Sequence, residues 1–113
     1  MTMPKFLLLM EGLSAQPTAT DEQTQAYNRK WMEWIGSLVK AGTLESGLPL
    51  QPVAKEVSKD AVTDRPLETR DIYGYMLINA PSLDAAVDIV RQAPHTELGG
   101  TTIIRPCLDV PAG

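Results

Sequence analysis

At 113 residues the chain has room for a single domain. Its net charge of −4, with Arg29-Lys30 the only adjacent basic pair, argues against nucleic acid as a partner, because phosphate backbones call for clustered cations. Cys107 is the only cysteine and His95 the only histidine, so an intramolecular disulfide and the usual zinc ligand sets are both excluded, and no metal or cofactor is expected.

The first element is KFLLLME (5–11), a nearly continuous apolar run closed by Gly12, which reads as a buried strand. Its apolar part is too short to span a bilayer and has no small-residue cleavage site after it, so a cytoplasmic location without a membrane partner is expected. SAQPTAT (14–20) reads as a loop. Thr20 then offers an N-cap, with Gln23 placed for a capping box and Asp21 and Glu22 suited to the positive end of a helix. Tyr27, Trp31, Trp34, Ile35, Leu38 and Val39 follow at spacings of three and four, which predicts one long amphipathic helix ending near Gly42.

LESGLPL (44–50) carries turn residues and reads as a connector. PVAKEVSKDAVT (52–63) predicts two short β segments turning at Lys59-Asp60. VTDRPLETRD (62–71) is a charged loop broken by Pro66, which holds Arg65 extended and should make the loop stiff. DIYGYMLINA (71–80) is rich in aromatic and branched residues and predicts a strand. Ser82 is an N-cap for a second helix with Leu83, Ala86, Val87 and Val90 on one stripe, and Pro94 stops it. TTIIRPCLDV (101–110) is the last strand, and Pro106 either places it at a sheet edge or ends it early.

The order is β-α-β-β-α-β, which predicts the α+β, ferredoxin-like arrangement of two helices on one face of an antiparallel sheet. The strands are apolar on both faces. Phe6, Leu8 and Met10 alternate with Leu7 and Leu9, while Ile72, Met76 and Ile78 oppose Tyr73, Tyr75 and Leu77. Two helices cover one face only, and a bare apolar sheet exceeds the patch usual for a monomer. A second copy is the simplest cover, so a homodimer packed sheet to sheet is expected.

Four segments in sequence order also carry a family resemblance. VTDRPLET (62–69) resembles the V-T-D-G-P-F-x-E-T signature of the YCII-related, DGPF-domain proteins. YGYMLINAPSLDAAVDIVRQAP (73–94) resembles the strand and helix that follow it, and GGTTIIRP (99–106) the closing G-G-x-V-E-V-R-P strand. WMEWIGSLVKAGTLESGLPLQP (31–52) is similar to the upstream helix and its A-G-x-L-x-x-G-x-x-L-x-P passage. The resemblance implies a dimeric α+β barrel over residues 1–113 and a cytoplasmic bacterial protein. It implies little chemistry, since relatives on that barrel include dehalogenases, isomerases and monooxygenases. Arg65 stands where the family has the glycine of D-G-P-F, and Leu67 replaces its phenylalanine. The first helix has no histidine, which excludes the His-Asp pair of YCII-type members from that helix.

The residues that could carry chemistry are few. Asp64 and Glu68 could divide acid and base duties, or serve as a loop cap and an ion-pair partner. Arg105, inside an apolar strand, could hold a substrate carboxylate or pair with Glu68 or Glu11. The expected arrangement has Glu68 turned inward to Arg105, Asp64 capping its own turn, and Arg65 facing solvent or a partner. Tyr27, Trp31, Trp34, Tyr73 and Tyr75 read as core aromatics that line a pocket between helix and sheet if a cavity exists. His95 reads as a solvated loop residue and Cys107 as a small core hydrophobe. The function expected from this set is small-molecule binding by a non-catalytic homodimer, with a cofactor-free enzyme acting on a carboxylated or aromatic metabolite as the alternative.

Overall fold

The computed structural model describes residues 3–12 and 20–109. The loop expected at 14–20 lies outside the described residues except for Thr20, as does Val110 of the last expected strand. The elements run β1 (Lys5–Glu11), α1 (Asp21–Lys40), β2 (Leu44–Pro49), β3 (Lys55–Val57), β4 (Val62–Asp64), β5 (Ile72–Asn79), α2 (Leu83–Arg91), α3 (Pro94–Glu97) and β6 (Thr101–Pro106). A four-stranded antiparallel sheet has the order β2-β5-β1-β6, and β3 and β4 form a separate hairpin. The fold is the ferredoxin-like α+β arrangement, with the hairpin inserted between its second and third sheet strands.

Local signals account for the helix boundaries. Thr20 Oγ1 accepts from the Gln23 backbone N–H at 3.1 Å, while Gln23 Oε1 accepts from the Thr20 N–H at 2.9 Å, completing the capping box. Ser82 Oγ accepts from the Ala85 N–H at the start of α2. Pro94 does not simply stop α2. It opens the short helix α3 at its first turn, where a missing N–H costs nothing, and this carries His95 into the interior.

The sheet departs from expectation at β2. LESGLP is an edge strand and not a connector, and the segments at 55–57 and 62–64 lie outside the main sheet. Gly47 explains the difference. A Cβ there would lie 2.9 Å from both Met76 Cγ and the Tyr75 carbonyl, so glycine is what lets this strand close on β5. Lys5 and Asn79 both reach Glu45 Oε1, at 2.9 and 2.8 Å, and tie the other end of the strand to β1 and β5. The edge position expected for β6 is observed.

Both faces of the sheet are apolar, as their alternation predicts, but they differ in cover. Phe6, Leu8, Met10, Met76 and Ile78 are buried with Trp34 and Leu38 of α1 and Ala86 and Val90 of α2. On the other face the register aligns Leu9 with Tyr75 and Ile103, and Leu7 with Leu77 and Arg105. Among the described residues no helix packs there. The chain is 20 Å thick, the depth of two layers, and its radius of gyration of 15.9 Å exceeds the roughly 13 Å of a compact domain this long. Among the described residues no helix is long and apolar enough to cross a membrane.

Candidate functional site

The helical face of the sheet is not filled along its whole length. Toward the end of β1, where Gly12, Gly47 and Gly74 bring backbone without side chains, α1 and the sheet stand apart around a cleft of about 340 Å³. That volume lies at the lower end of the range for small-molecule sites. Glycine matters differently at the two strand positions. At Gly47 a Cβ would collide, whereas at Gly74 it would meet only ordinary contacts of 3.7 Å and beyond. The space above Gly74 is therefore the cleft itself.

Trp31 and Ile35 of α1 form one wall, and Met10 and Met76 of the sheet form part of the floor. Trp31 is held by its neighbours, stacked on Tyr27 at 6.1 Å and edge-on to the buried Trp34 at 5.4 Å. Tyr73 also lines the cleft, but its hydroxyl is committed to the Glu68 carbonyl at 3.0 Å. Tyr75 contributes at the border, since the register sends its side chain to the opposite face beside Leu9. Tyr27 stands behind Trp31 and is not part of the lining. Burial pushes its phenol pKa up, and the Trp31 side chain acts in the other direction without completing a hydrogen bond to the buried hydroxyl.

Among the described residues no lysine, arginine, aspartate or glutamate lines the cleft; its polar lining residues are Asn28, Tyr73 and His95, with Tyr75 at the border. His95 corrects the expectation of a solvated loop: it is only 3% exposed. Its Nε2 lies 2.8 Å from the Glu11 carbonyl and 3.3 Å from that of Thr101, so this nitrogen must carry the proton and donate. Gly100 lies against the ring so closely that any Cβ would overlap it. The sequence signal that could have found this residue is the Gly99-Gly100 pair just after the helix, which leaves room for a ring.

The charged candidates lie elsewhere. Asp64 pairs with Lys55 across the hairpin at 2.6 Å and does not cap its own turn. Glu68 is exposed and does not reach Arg105, which is exposed as well and sits on the uncovered face beside Leu7. The reason is the register: Arg105 belongs to the edge strand β6, on the face away from the helices, and needs no buried partner. Cys107 is likewise exposed and not a core residue, because β6 ends at Pro106. The residue that organises the charged loop is Asp71. Its Oδ2 accepts from the Glu68 N–H at 2.6 Å and its Oδ1 pairs with Arg65 at 3.0 Å. Those two interactions, the backbone N–H first, hold the Asp71 pKa below the usual carboxylate value. Arg65 is thus an internal loop partner and not a free projection.

Fold and cleft together define a ferredoxin-like α+β domain with a ligand-sized, uncharged cavity between its first helix and its sheet. No family model matches the chain, and no curated protein matches it in sequence. Among solved structures it is similar to 5-chloro-2-hydroxyhydroquinone dehydrochlorinase (TftG) from Burkholderia phenoliruptrix, solved in complex with 2,5-dihydroxybenzoquinone. The two share 16% identity over 89% of this chain and 90% of that one, with a TM-score of 0.55. At that identity the likeness shows the fold.

Proposed function

We propose that this protein is a small-molecule-binding domain of the YCII-related type that works as a homodimer and takes a small aromatic ligand between α1 and the sheet. The observation that carries the reading is the cleft: concave, mostly apolar, walled by Trp31 and floored by glycine. The motif series in the C-terminal half and the fold shared with TftG support the family, and the bare apolar sheet face supports the dimer. The name of TftG, a dehydrochlorinase of a chlorinated hydroxyhydroquinone, and its complex with the planar ring of 2,5-dihydroxybenzoquinone support a small aromatic ligand of similar size.

Asp64, Glu68 and Arg105 lie outside the cleft, so a proton-transfer role for the acids or an anion-holding role for Arg105 would need a second site. A cofactor-free enzyme is the second reading, favoured by the fold shared with TftG, a dehydrochlorinase, and by a histidine in the cleft wall.

The binding reading is tested by titrating hydroquinone, benzoate and a saturated cyclohexanediol while following tryptophan fluorescence and thermal stability. The aromatic diol should quench Trp31 and raise the melting temperature. Gly74→Val, a strand-compatible residue placed in the cleft, should abolish both effects while the protein stays folded. Unchanged binding in that variant would move the ligand elsewhere on the molecule.

A further inference from the structure

His95, in the cleft wall, uses half of its hydrogen-bonding capacity on the fold itself. The His95 ring stands in the wall of the cleft with Nε2–H committed to the Glu11 and Thr101 carbonyls. A carbonyl can only accept, so the neutral ring is held in the Nε2–H tautomer. What it can still offer is the lone pair of Nδ1, which has no hydrogen-bond partner among the described residues. Gly100 packed against the ring, and the two carbonyls at its far edge, keep it from rotating to exchange the two nitrogens.

We infer that His95 Nδ1 is the specificity-determining acceptor of the cleft, and that it selects neutral aromatic ligands carrying a hydroxyl group over carboxylates and over ethers of the same shape. The inference rests on the small-molecule reading above and names the ligand class for that site. Two arguments converge on it. Among the described residues no lysine or arginine lines the cleft to offset a carboxylate, so burying an anion there leaves its charge unpaired. The tautomer held by Glu11 and Thr101 leaves Nδ1 as the ring's acceptor, and a hydroxyl can meet an acceptor where a methoxy group cannot. Tyr73 does not compete for this role, because its hydroxyl already donates to the Glu68 carbonyl.

The test pairs hydroquinone with 1,4-dimethoxybenzene and adds benzoate, each titrated into the full chain. Hydroquinone should bind about 3- to 10-fold more tightly than its ether, the range of one net hydrogen bond. Benzoate should bind more weakly than either. His95→Gln is the matched variant, because its amide N–H can replace Nε2–H toward Glu11 while no acceptor is left at Nδ1. It should bind the ether as before and lose the preference for the diol. Because His95 is the only histidine, ¹⁵N spectra of the unaltered protein give a second measurement that does not depend on how the variant folds. Nδ1 should show the unprotonated shift in the free protein and move toward a hydrogen-bonded shift as hydroquinone is added, with Nε2 unchanged. Equal affinity for diol and ether, a preference retained in His95→Gln, or an Nδ1 signal indifferent to a bound diol would each overturn the role of His95 while leaving the cleft as a binding site. Failure of every aromatic probe to bind would instead overturn the small-molecule reading itself.

Discussion

Replacing Gly100 by alanine is the most direct probe of how His95 is held. The new methyl group would lie 2.6 Å from Cδ2 of the imidazole and still closer to Cε1 and Nε2. The obstacle is a planar ring fixed by hydrogen bonds to the Glu11 and Thr101 carbonyls, not the loose end of a long side chain. Relief therefore requires the ring or the backbone to move. Overpacking of this kind costs about 1–3 kcal/mol, and displacing the ring forfeits a net hydrogen bond of about 1 kcal/mol. The smaller conformational freedom of alanine in the unfolded chain offsets about 0.4–1 kcal/mol. The net expected loss is about 1–3.5 kcal/mol. It is measured by urea unfolding followed through tryptophan fluorescence, with the slope unchanged if only stability is altered. In a domain of this length the melting temperature should fall by roughly 4 °C or more. Gly99→Ala is the contrasting control: open space surrounds it, but its φ of +88° strains any other residue, so its loss is one of backbone conformation and leaves the histidine signals in place. A loss below about 0.5 kcal/mol in Gly100→Ala would refute the tight placement of the ring, since no clash of that size relaxes so cheaply.

Glu68→Gln and Arg105→Ala should each change stability by less than about 0.5 kcal/mol, because both side chains are exposed and do not pair with one another; a larger loss in urea unfolding would revive a link between them. Asp71 behaves oppositely. Its folded pKa is depressed, so its contribution is present above the unfolded value and is lost as pH falls through the folded one. Asp71→Asn should therefore be less stable than the parent at neutral pH, with the gap closing in acid, and a gap that widened on acidification would contradict the loop geometry. Leu9→Asp places a charge on the uncovered sheet face beside Tyr75 and Ile103 and should convert a micromolar dimer to monomer in light scattering. A parent protein that is already monomeric when dilute would remove the need for a second copy.

The elements whose signals are local could be read from the chain alone. Thr20 with Gln23, and Ser82 three residues before Ala85, cap their helices through contacts within one turn, so sequence spacing contains the whole interaction. The alternation of Leu7 and Leu9 with Phe6, Leu8 and Met10 likewise determined that both sheet faces are apolar, since side-chain direction in a strand is set by the period of two. The strand at 44–49 could not be read in this way. Its Gly47 and Pro49 are turn residues by local chemistry, and only the close approach of β5 makes glycine a requirement of the sheet there. Arg105 and Glu68 differ for a related reason: composition marks both as chemically capable, but which face and which edge they occupy follows from strand order. His95 is the clearest case. Its burial depends on a carbonyl 84 positions earlier in the chain, and a residue after a helix and a proline looks solvated until β1 and β6 are brought beside it. Tertiary structure decided its tautomer, its place in the cleft and what it can offer a ligand, because those depend on partners that sequence spacing does not bring together.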